Sequence, residues 1–290
     1  MRLGPDYENE WVDDLPAEEY HSLRQYVNSS SLRHILKSPH YFRWKFMQPQ
    51  KTTDAMQFGK IAHQAIYEPK EFKELAVAYE KVDRRTKAGR EKFQALNDDL
   101  GPGQYLIELN ELRRIEMMKA SIAKHPVAKA ILEAGYKERS GFYRCPMTGL
   151  ACRFRPDQWF EERGFLIDFK TTKDVSKRSF SKSIDQYDYD LQASFYCLGG
   201  KEITGLDVVR RVWVVAESLP PYEIAVYVGD EKAMDSGWEL HKHAMYLLDE
   251  CLKKDKWPMA QMSAEDISVP WYRYERIMNA LEEDGEENNG

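Results

Sequence analysis

The stretch from Arg155 to Thr172, RPDQWFEERGFLIDFKTT, carries the pattern that decides the fold. Asp157 lies at the end of one predicted strand, and Asp168 lies eleven residues later, within the next. A turn over Glu161 to Gly164 separates the strands, so antiparallel pairing would bring the two carboxylates side by side. Asp168 and Lys170 are two residues apart on one strand and therefore project from the same face. The spacing predicts two carboxylates and an ammonium group on one face of a sheet.

This arrangement of charges is suited to a divalent cation and to phosphate chemistry. Two carboxylates form an oxygen-rich site of the kind that Mg²⁺ prefers, and an adjacent ammonium can stabilise charge that develops on a phosphate. Asp168 follows the apolar run Phe165–Ile167, and a buried carboxylate needs a partner or a metal. A surface hairpin with ordinary solvated charges is the alternative interpretation, and the apolar run makes the metal site the stronger hypothesis.

The rest of the chain has the element pattern of an α/β protein. Three β-rich segments separated by turn signals predict a meander of strands over 138–145, 150–157 and 164–170. Two further strands are expected on either side of Pro220-Pro221, over 207–217 and 222–229. Serines 29–31 predict a helix N-terminus, and Ser38-Pro39 ends that helix before a short helical segment over 41–46. Further helices are predicted over 55–67, 105–133 (with a break near Pro126), 185–199 and 231–254, and residues 80–104 are expected to form an exposed loop or short helix.

Composition limits the classes of protein that fit. The 290 residues are 42% hydrophobic and 31% charged, which is typical of a folded domain. The chain contains no apolar run of about 18 residues, so no membrane span is predicted. No secretory signal is visible. The net charge of −6 argues weakly against nucleic-acid binding unless basic residues cluster locally. Four cysteines without a CxxC pair favour a reduced, cytoplasmic chain without a zinc site.

Several motifs around the acidic pair resemble the PD-(D/E)xK nucleases, and in particular the RecE-type (exonuclease VIII) exonucleases. Arg-Pro-Asp and Asp-Phe-Lys-Thr-Thr resemble motifs II and III of the superfamily. The likeness to the RecE type extends from about residue 26 to about residue 272 and rests on four further segments: 28–32 with Ser38-Pro39, the G-x-x-x-H motif over 58–63, the basic loop over 84–89, and the Q-x-x-x-Y helix over 189–196.

The resemblance implies a fold and a division of the chain. It implies an α/β PD-(D/E)xK core, restriction-endonuclease-like, with a mixed central sheet flanked by helices and an N-terminal helical elaboration. A single nuclease domain is expected over 26–280, with a mainly helical part over 26–133 and the catalytic sheet and helices over 134–256. Residues 1–25 are expected to form a flexible acidic leader, and 281–290 a disordered acidic tail.

The resemblance also implies roles for individual residues. Asp157, Asp168 and the Phe169 carbonyl would be metal ligands, Lys170 the catalytic lysine, and Glu138, on the first strand of the meander, an extra carboxylate. Four residues of the implied site also have a structural alternative. His63 would be a metal ligand or a water-positioning group, or else a core histidine, and Glu138 a ligand or a solvated strand edge. Gln192 and Tyr196 would brace the lysine or the DNA backbone, or else serve plain helix packing.

Contacts to DNA are expected from two regions. Five positive charges crowd the ten positions from Lys81 to Arg90, with Asp83 the one opposing charge between them, which favours phosphate contact over a solvated turn. The aromatic-basic segment at 41–46 has residues that could stack on bases, although burial against the core is an equal alternative. The candidate DNA-binding residues are Ser31, Arg43, Lys45, Arg84, Arg85, Thr86, Lys87 and Arg90.

The function implied by the resemblance is a Mg²⁺-dependent (or Mn²⁺-supported) exonuclease that acts on double-stranded DNA ends. It would hydrolyse phosphodiesters 5′-to-3′ with activated water and leave 3′ single strands for recombination by strand annealing. A homo-oligomeric ring, a RecT/Bet-like annealing partner, no membrane contact and a bacterial cytoplasm with phage or prophage origin are also implied. The cysteine spacing 145/152/197/251 does not fit an iron–sulfur cluster. A PD-(D/E)xK endonuclease, a single-strand nuclease and a non-catalytic DNA-binding relative remain open alternatives.

Overall fold

The computed structural model describes residues 7–48, 53–206 and 210–287, and within these ranges the chain folds into three sheets and the helices around them. The strands are β1 (Glu10–Val12), β2 (Ala76–Tyr79), β3 (Tyr105–Glu108), β4 (Tyr136–Lys137), β5 (Ser140–Arg144), β6 (Ala151–Phe154), β7 (Gln158–Phe160), β8 (Phe165–Thr172), β9 (Arg210–Glu217) and β10 (Ile224–Val228). The helices are α1 (Ala17–Ser22), α2 (Ser29–Lys37), α3 (Pro39–Met47), α4 (Asp54–Tyr67), α5 (Pro69–Leu75), α6 (Lys87–Asp98), α7 (Leu109–Lys124), α8 (Pro126–Glu133), α9 (Lys177–Tyr187), α10 (Tyr189–Thr204), α11 (Glu231–Lys254) and α12 (Trp271–Glu287).

A mixed five-stranded sheet with the order β10-β9-β8-β7-β4 forms the centre of the fold. Strand β8 pairs in parallel with β9 and antiparallel with β7. Both central strands are rich in β-branched and aromatic residues, which favour a pleated, buried surface. The mixed sheet with flanking helices confirms the expected α/β fold class.

The predicted three-stranded meander is wrong, because its segments belong to two sheets. Strand β6 pairs with β5 and not with β8, in a separate sheet with the order β1-β5-β6. Segment 150–157 is therefore not one strand. It contains β6, then a break at residues 155–157, and β7 begins at Gln158 and pairs with β8. The expected antiparallel neighbour of β8 exists, but it is shorter and begins later than predicted.

Both faces of the central sheet are covered by helices. One face packs against α10 and α11 through Trp159, Leu166 and Phe195, and the other packs against α4, α7 and α8 through Ile167 and Val214. Burial on both faces explains why β8 and β9 read as nearly continuous apolar runs. The charged side chains of Asp168 and Arg211 therefore lie in the interior and need partners.

Helix boundaries follow local capping chemistry. The cap of α2 is Asn28 and not one of the serines, since its side chain accepts a hydrogen bond from the Ser31 N–H. Ser38 caps α3 and precedes Pro39 at the first helical position, where proline is favoured. Helices α4 and α11 match the segments predicted for them. The segment 185–199 does not form one helix, because Asp188 adopts φ 50° between α9 and α10.

Three further segments differ from expectation. Residues 105–108 are strand β3 in a parallel pair with β2, so the helix predicted from 105 begins only at Leu109. Residues 80–104, expected to be a loop or short helix, include the twelve-residue helix α6. Within the expected leader, residues 10–12 pair with β5 and Tyr20 is buried, because the edge of β5 and an apolar cluster recruit them. Residues 1–6 of that leader lie outside the described ranges.

The C-terminal end is helical further than expected. Helix α12 continues through residue 287, although 281–290 was predicted to be disordered; residues 288–290 lie outside the described ranges. None of the helices that the structure describes is long and apolar enough to cross a membrane.

Candidate active site

The two aspartates singled out by their spacing lie next to each other in the central sheet. Gln158 of β7 faces Ile167 of β8, so continuing this antiparallel register by one residue places Asp157 opposite Asp168. The Phe169 backbone N–H donates a hydrogen bond of 2.6 Å to Asp157 Oδ2, which fixes the carboxylate against the edge of β8. The side-by-side arrangement expected from the sequence is therefore present.

Lys170 projects from the same face of β8 as Asp168. Its ammonium forms an ion pair with Asp168 Oδ2 and lies 4.8 Å from the centre of the Tyr189 ring. Burial alone would lower the pKa of Lys170, but Asp168 and Asp157 outweigh burial and raise that pKa above its ordinary value. The lysine therefore carries its charge at neutral pH.

A second cation, Arg211 of β9, holds the other oxygen of Asp168. Arg211 Nη2 lies 2.7 Å from Asp168 Oδ1, and the two side chains are 0% and 2% exposed. The guanidinium is also 5.1 Å from the centre of the Tyr196 ring. Sequence analysis missed Arg211, since an arginine 43 residues after its partner in a predicted strand gives no local signal. Only its position directly before the apolar run from Val212 to Ala216 pointed to a buried charge.

His63 joins the acidic pair from helix α4 and bridges two carboxylates. Its Nδ1 lies 3.1 Å from Glu138 Oε1, and its Nε2 lies 3.1 Å from Asp157 Oδ1. Burial would lower the pKa of His63, but Asp157 and Glu138 more than offset this and raise the pKa to about 9. His63 thus lies at the acidic site and not among purely apolar core residues.

Glu138 reaches the site from a turn and not from a strand as predicted. It follows β4 with φ 54° and donates its backbone N–H to the Asp157 carbonyl at 3.2 Å. Burial raises the pKa of its carboxyl, and Asp157 adds to this effect, while His63 opposes it. In contrast, the pKa of Asp157 is lowered despite its burial, because His63 and Lys170 stabilise the charged form. The left-handed turn places Glu138 beside His63, a contact that strand geometry would not provide.

The donor set fits a divalent cation. His63, Glu138 and Asp157 each offer one ligand atom, and these atoms all lie within 4.8 Å of one another. Asp168 adds a carboxylate on the adjoining strand. The site therefore contains three carboxylates, the two cations Lys170 and Arg211, and a histidine whose pKa is raised. Oxygen-rich sites with few imidazole ligands suit Mg²⁺ and Mn²⁺. The Phe169 carbonyl remains a predicted ligand.

Gln192 and Tyr196 lie one turn apart on α10, as their spacing predicts. The Gln192 side-chain amide donates a hydrogen bond of 3.3 Å to Tyr196 Oη. Tyr196 lies against Arg211, and the ring beneath the Lys170 ammonium is that of Tyr189. Through Tyr196 the Q-x-x-x-Y pair packs against the arginine that holds Asp168, and its expected role as a brace of the lysine or of the DNA backbone stays a prediction.

The basic residues from 84 to 90 form a turn over 84–86 and the first residues of helix α6. Thr86 caps the helix, since its Oγ1 accepts from the Gly89 N–H at 3.0 Å. Arg85 pairs with Asp83, Arg90 donates to the Arg85 carbonyl, and Lys87 is 86% exposed. Arg84 lies over the ring of Phe93. The turn is an ordered basic surface, and its contact with DNA stays a prediction.

The three candidates in the N-terminal helices lie in different surroundings. Ser31 Oγ donates to the Asn28 side chain that caps α2. Arg43 lies 3.7 Å from Asp255, and Lys45 is half-buried on α3. Their contact with DNA is likewise untested.

The chain is similar to one protein family and to two solved structures. Residues 28–268 match the profile of a family described as a PDDEXK-like domain of unknown function (DUF3799). A crystal structure from Eubacterium rectale, of a protein provisionally described as an exonuclease, superposes with a TM-score of 0.57 at 12% identity, over 89% of this chain and 97% of that one. A phage related exonuclease from Haemophilus somnus 129PT is also similar, with a TM-score of 0.34 at 12% identity, over 80% of this chain and 96% of that one. No protein with a curated description matches the chain.

Proposed function

The chain belongs to the family of PDDEXK-like domains of unknown function (DUF3799), and from this premise we propose that it is a divalent-metal-dependent DNA nuclease. The match confirms the PD-(D/E)xK part of the resemblance noted in the sequence. The observation that carries the proposal is the meeting of Asp157, directly before β7, with Asp168 and Lys170 on the adjoining strand β8. Two carboxylates can hold a divalent cation, and a charged lysine beside them can stabilise the charge that develops on a phosphate.

Each residue of the site has a distinct task in this proposal. Asp157 and Asp168, with Glu138 and His63 beside them, would hold the cation, for which Mg²⁺ is the first candidate and Mn²⁺ a substitute. When bound, a divalent cation polarises a phosphoryl oxygen and makes water a stronger nucleophile at neutral pH. Lys170 keeps its proton at neutral pH and can donate it as a hydrogen bond to the charge that develops on the phosphate.

The finer proposal is an exonuclease that digests double-stranded DNA from its ends. It rests on the RecE-type motifs, and the fold neighbour described as an exonuclease is compatible with it. We extend the proposal to 5′-to-3′ polarity, to 3′ single strands passed to a RecT/Bet-like annealing protein, and to a homo-oligomeric ring encoded by a phage or prophage. The ordered basic turn before α6 is the surface proposed to contact phosphates.

The test is digestion of duplex DNA by purified protein with and without Mg²⁺. Linear duplex labelled at either the 5′ or the 3′ end, and a covalently closed circle, serve as substrates. We expect digestion of the linear duplex, release of the 5′ label first, and an intact circle. Cutting of the circle would replace the exonuclease with an endonuclease, and binding without digestion would indicate a non-catalytic relative.

Three variants connect that activity to the site. Asp157→Asn and Lys170→Met should lose digestion, whereas Lys129→Met should retain it, because Lys129 is exposed on α8. If Asp157→Asn or Lys170→Met, still folded, digests DNA at the rate of the unsubstituted protein, the site assignment is wrong.

A further inference from the structure

Arg211 differs from every other cation at the site in being entirely enclosed by protein. Its side chain is 0% exposed, and within the described part of the chain its Nε and Nη1 have no hydrogen-bond partner. Burial of a guanidinium is costly, and an apolar residue of similar volume at such a position is often as stable or more so. Packing alone therefore does not account for a fully buried arginine at the second position of β9.

The contact that Arg211 does make is with one particular oxygen of Asp168. Nη2 lies 2.7 Å from Oδ1, while the Lys170 ammonium occupies Oδ2. The two cations are not equivalent, because the Lys170 side chain is 20% exposed and can turn toward solvent. Arg211 cannot leave, since it is enclosed by the sheet and by Tyr196 on α10.

The sheet makes this contact rigid. Strands β8 and β9 pair in parallel along their whole length, with Leu166 facing Arg211 and Asp168 facing Trp213. Both strands are buried on this face, so neither side chain can move away without opening the core. Asp168 Oδ1 is thus permanently occupied, and only Oδ2, on the Lys170 side, can be offered to another cation.

We propose that Arg211 is a positioning residue that restricts Asp168 to a single oxygen for the cation and thereby favours Mg²⁺ over Ca²⁺. The proposal rests on the proposed metal-dependent function. Mg²⁺ demands a small, nearly octahedral set of ligands, whereas the larger Ca²⁺ readily accepts both oxygens of one carboxylate. A carboxylate whose second oxygen is held by a buried arginine cannot bind in that two-oxygen mode.

The experiment measures binding of divalent cations directly, independent of DNA cleavage. Mn²⁺ bound to the full chain is followed by the electron paramagnetic resonance signal of the free ion, and Mg²⁺ or Ca²⁺ is then used to displace it. We expect the ratio of Kd for Ca²⁺ to Kd for Mg²⁺ to fall by about tenfold in Arg211→Met, because Asp168 gains a second free oxygen. Arg211→Lys, which restores a cation, should give an intermediate ratio.

Arg210→Met is the matched control, since Arg210 precedes Arg211 on the same strand but is exposed. Its ratio should equal that of the unsubstituted protein. A change of overall charge, or a general loosening of the fold, would shift both cations in the same direction and leave the ratio unchanged. Circular dichroism establishes that each variant is folded, and Arg211→Lys alone decides the question if Arg211→Met does not fold.

The outcomes separate this inference from the proposed function. If the unsubstituted protein binds Mn²⁺ and digests DNA, but the folded Arg211 variants keep its Ca²⁺-to-Mg²⁺ ratio, only the role given to Arg211 is wrong. If the unsubstituted protein binds no divalent cation, the metal-dependent function fails and this inference fails with it.

Discussion

Replacing Asp168 by Asn should destabilise the protein as well as inactivate it. The substitution removes a carboxylate but keeps its shape, and so it is the usual choice for an inactive but folded variant. In this fold it leaves Arg211 without its counter-charge. Arg211 is 0% exposed and Asp168 is its one ion-pair partner among the described residues.

The size of the loss in folding stability depends on which of the two cations can reach solvent once Asp168 is replaced. Lys170 is 20% exposed and can find water when Asp168 is lost. Arg211 has no route to solvent, and a guanidinium does not lose its proton in a protein. Removal of one partner from a buried ion pair typically costs about 3–5 kcal/mol, and since Asn still offers one acceptor we expect about 3 kcal/mol here.

Asp157→Asn is the matched control because its cationic partner is a histidine. His63 lies 3.1 Å from Asp157 and is 23% exposed. Without Asp157 the pKa of His63, now about 9, should fall, so that the ring can become neutral at small cost. The Asn side chain can still accept from the Phe169 N–H, and we expect a loss of about 1 kcal/mol.

Urea unfolding, followed by tryptophan fluorescence, measures both changes. The double variant Asp168→Asn with Arg211→Met should be markedly more stable than Asp168→Asn alone, because it removes the orphaned charge. Equal stability of Asp168→Asn and Asp157→Asn, within about 1 kcal/mol, would refute the reasoning that the buried arginine decides the cost.

Three other outcomes are expected. In the proposed mechanism Lys170 stabilises charge on the phosphate, so Lys170→Met should reduce the DNA digestion rate by about 100-fold or more without lowering the thermal midpoint; a lowered midpoint would point to a structural role. Burial lowers the pKa of His241 to about 4, so the unfolded chain binds more protons between pH 6.5 and 4 and stability is lost as pH falls through this window. His241 should contribute about 3 kcal/mol of this loss in urea titrations, so the loss in His241→Gln should be smaller by that amount. The part that remains includes His34, whose pKa burial also lowers to about 4. Gly199→Ala should cost about 1–3 kcal/mol by urea unfolding, because a Cβ there would lie 2.4 Å from the Phe154 ring; unchanged stability would show that the ring can move aside.

The chemistry-bearing residues were accessible from sequence because their signals are local. Asp157, Asp168 and Lys170 fall within fourteen positions of one another, and the two-residue repeat of a strand fixes which of them share a face. His63, Gln192 and Tyr196 came from resemblance, and the structure places them at or beside the same site. Composition and periodicity indicated an α/β fold with helices α4 and α11.

Predictions that depended on strand pairing were less successful. Residues 140–144 and 151–154 pair with each other in a separate sheet, and the expected leader contributes a strand to that sheet. A β-rich segment shows that it can form a strand, but its partner is chosen by burial and edge satisfaction across the whole fold. Glu138 was assigned to a strand for the same reason, although it lies in a left-handed turn.

By itself, the sequence determined that Asp157, Asp168 and Lys170 would lie together, since residues close along a strand have fixed relative directions. The tertiary structure alone decided how Asp168 is held, since its partner Arg211 lies 43 residues away and reaches it only through the parallel pairing of β8 with β9. Contacts across a sheet depend on strand register and on burial of both faces, and neither property can be inferred from a short segment of the sequence.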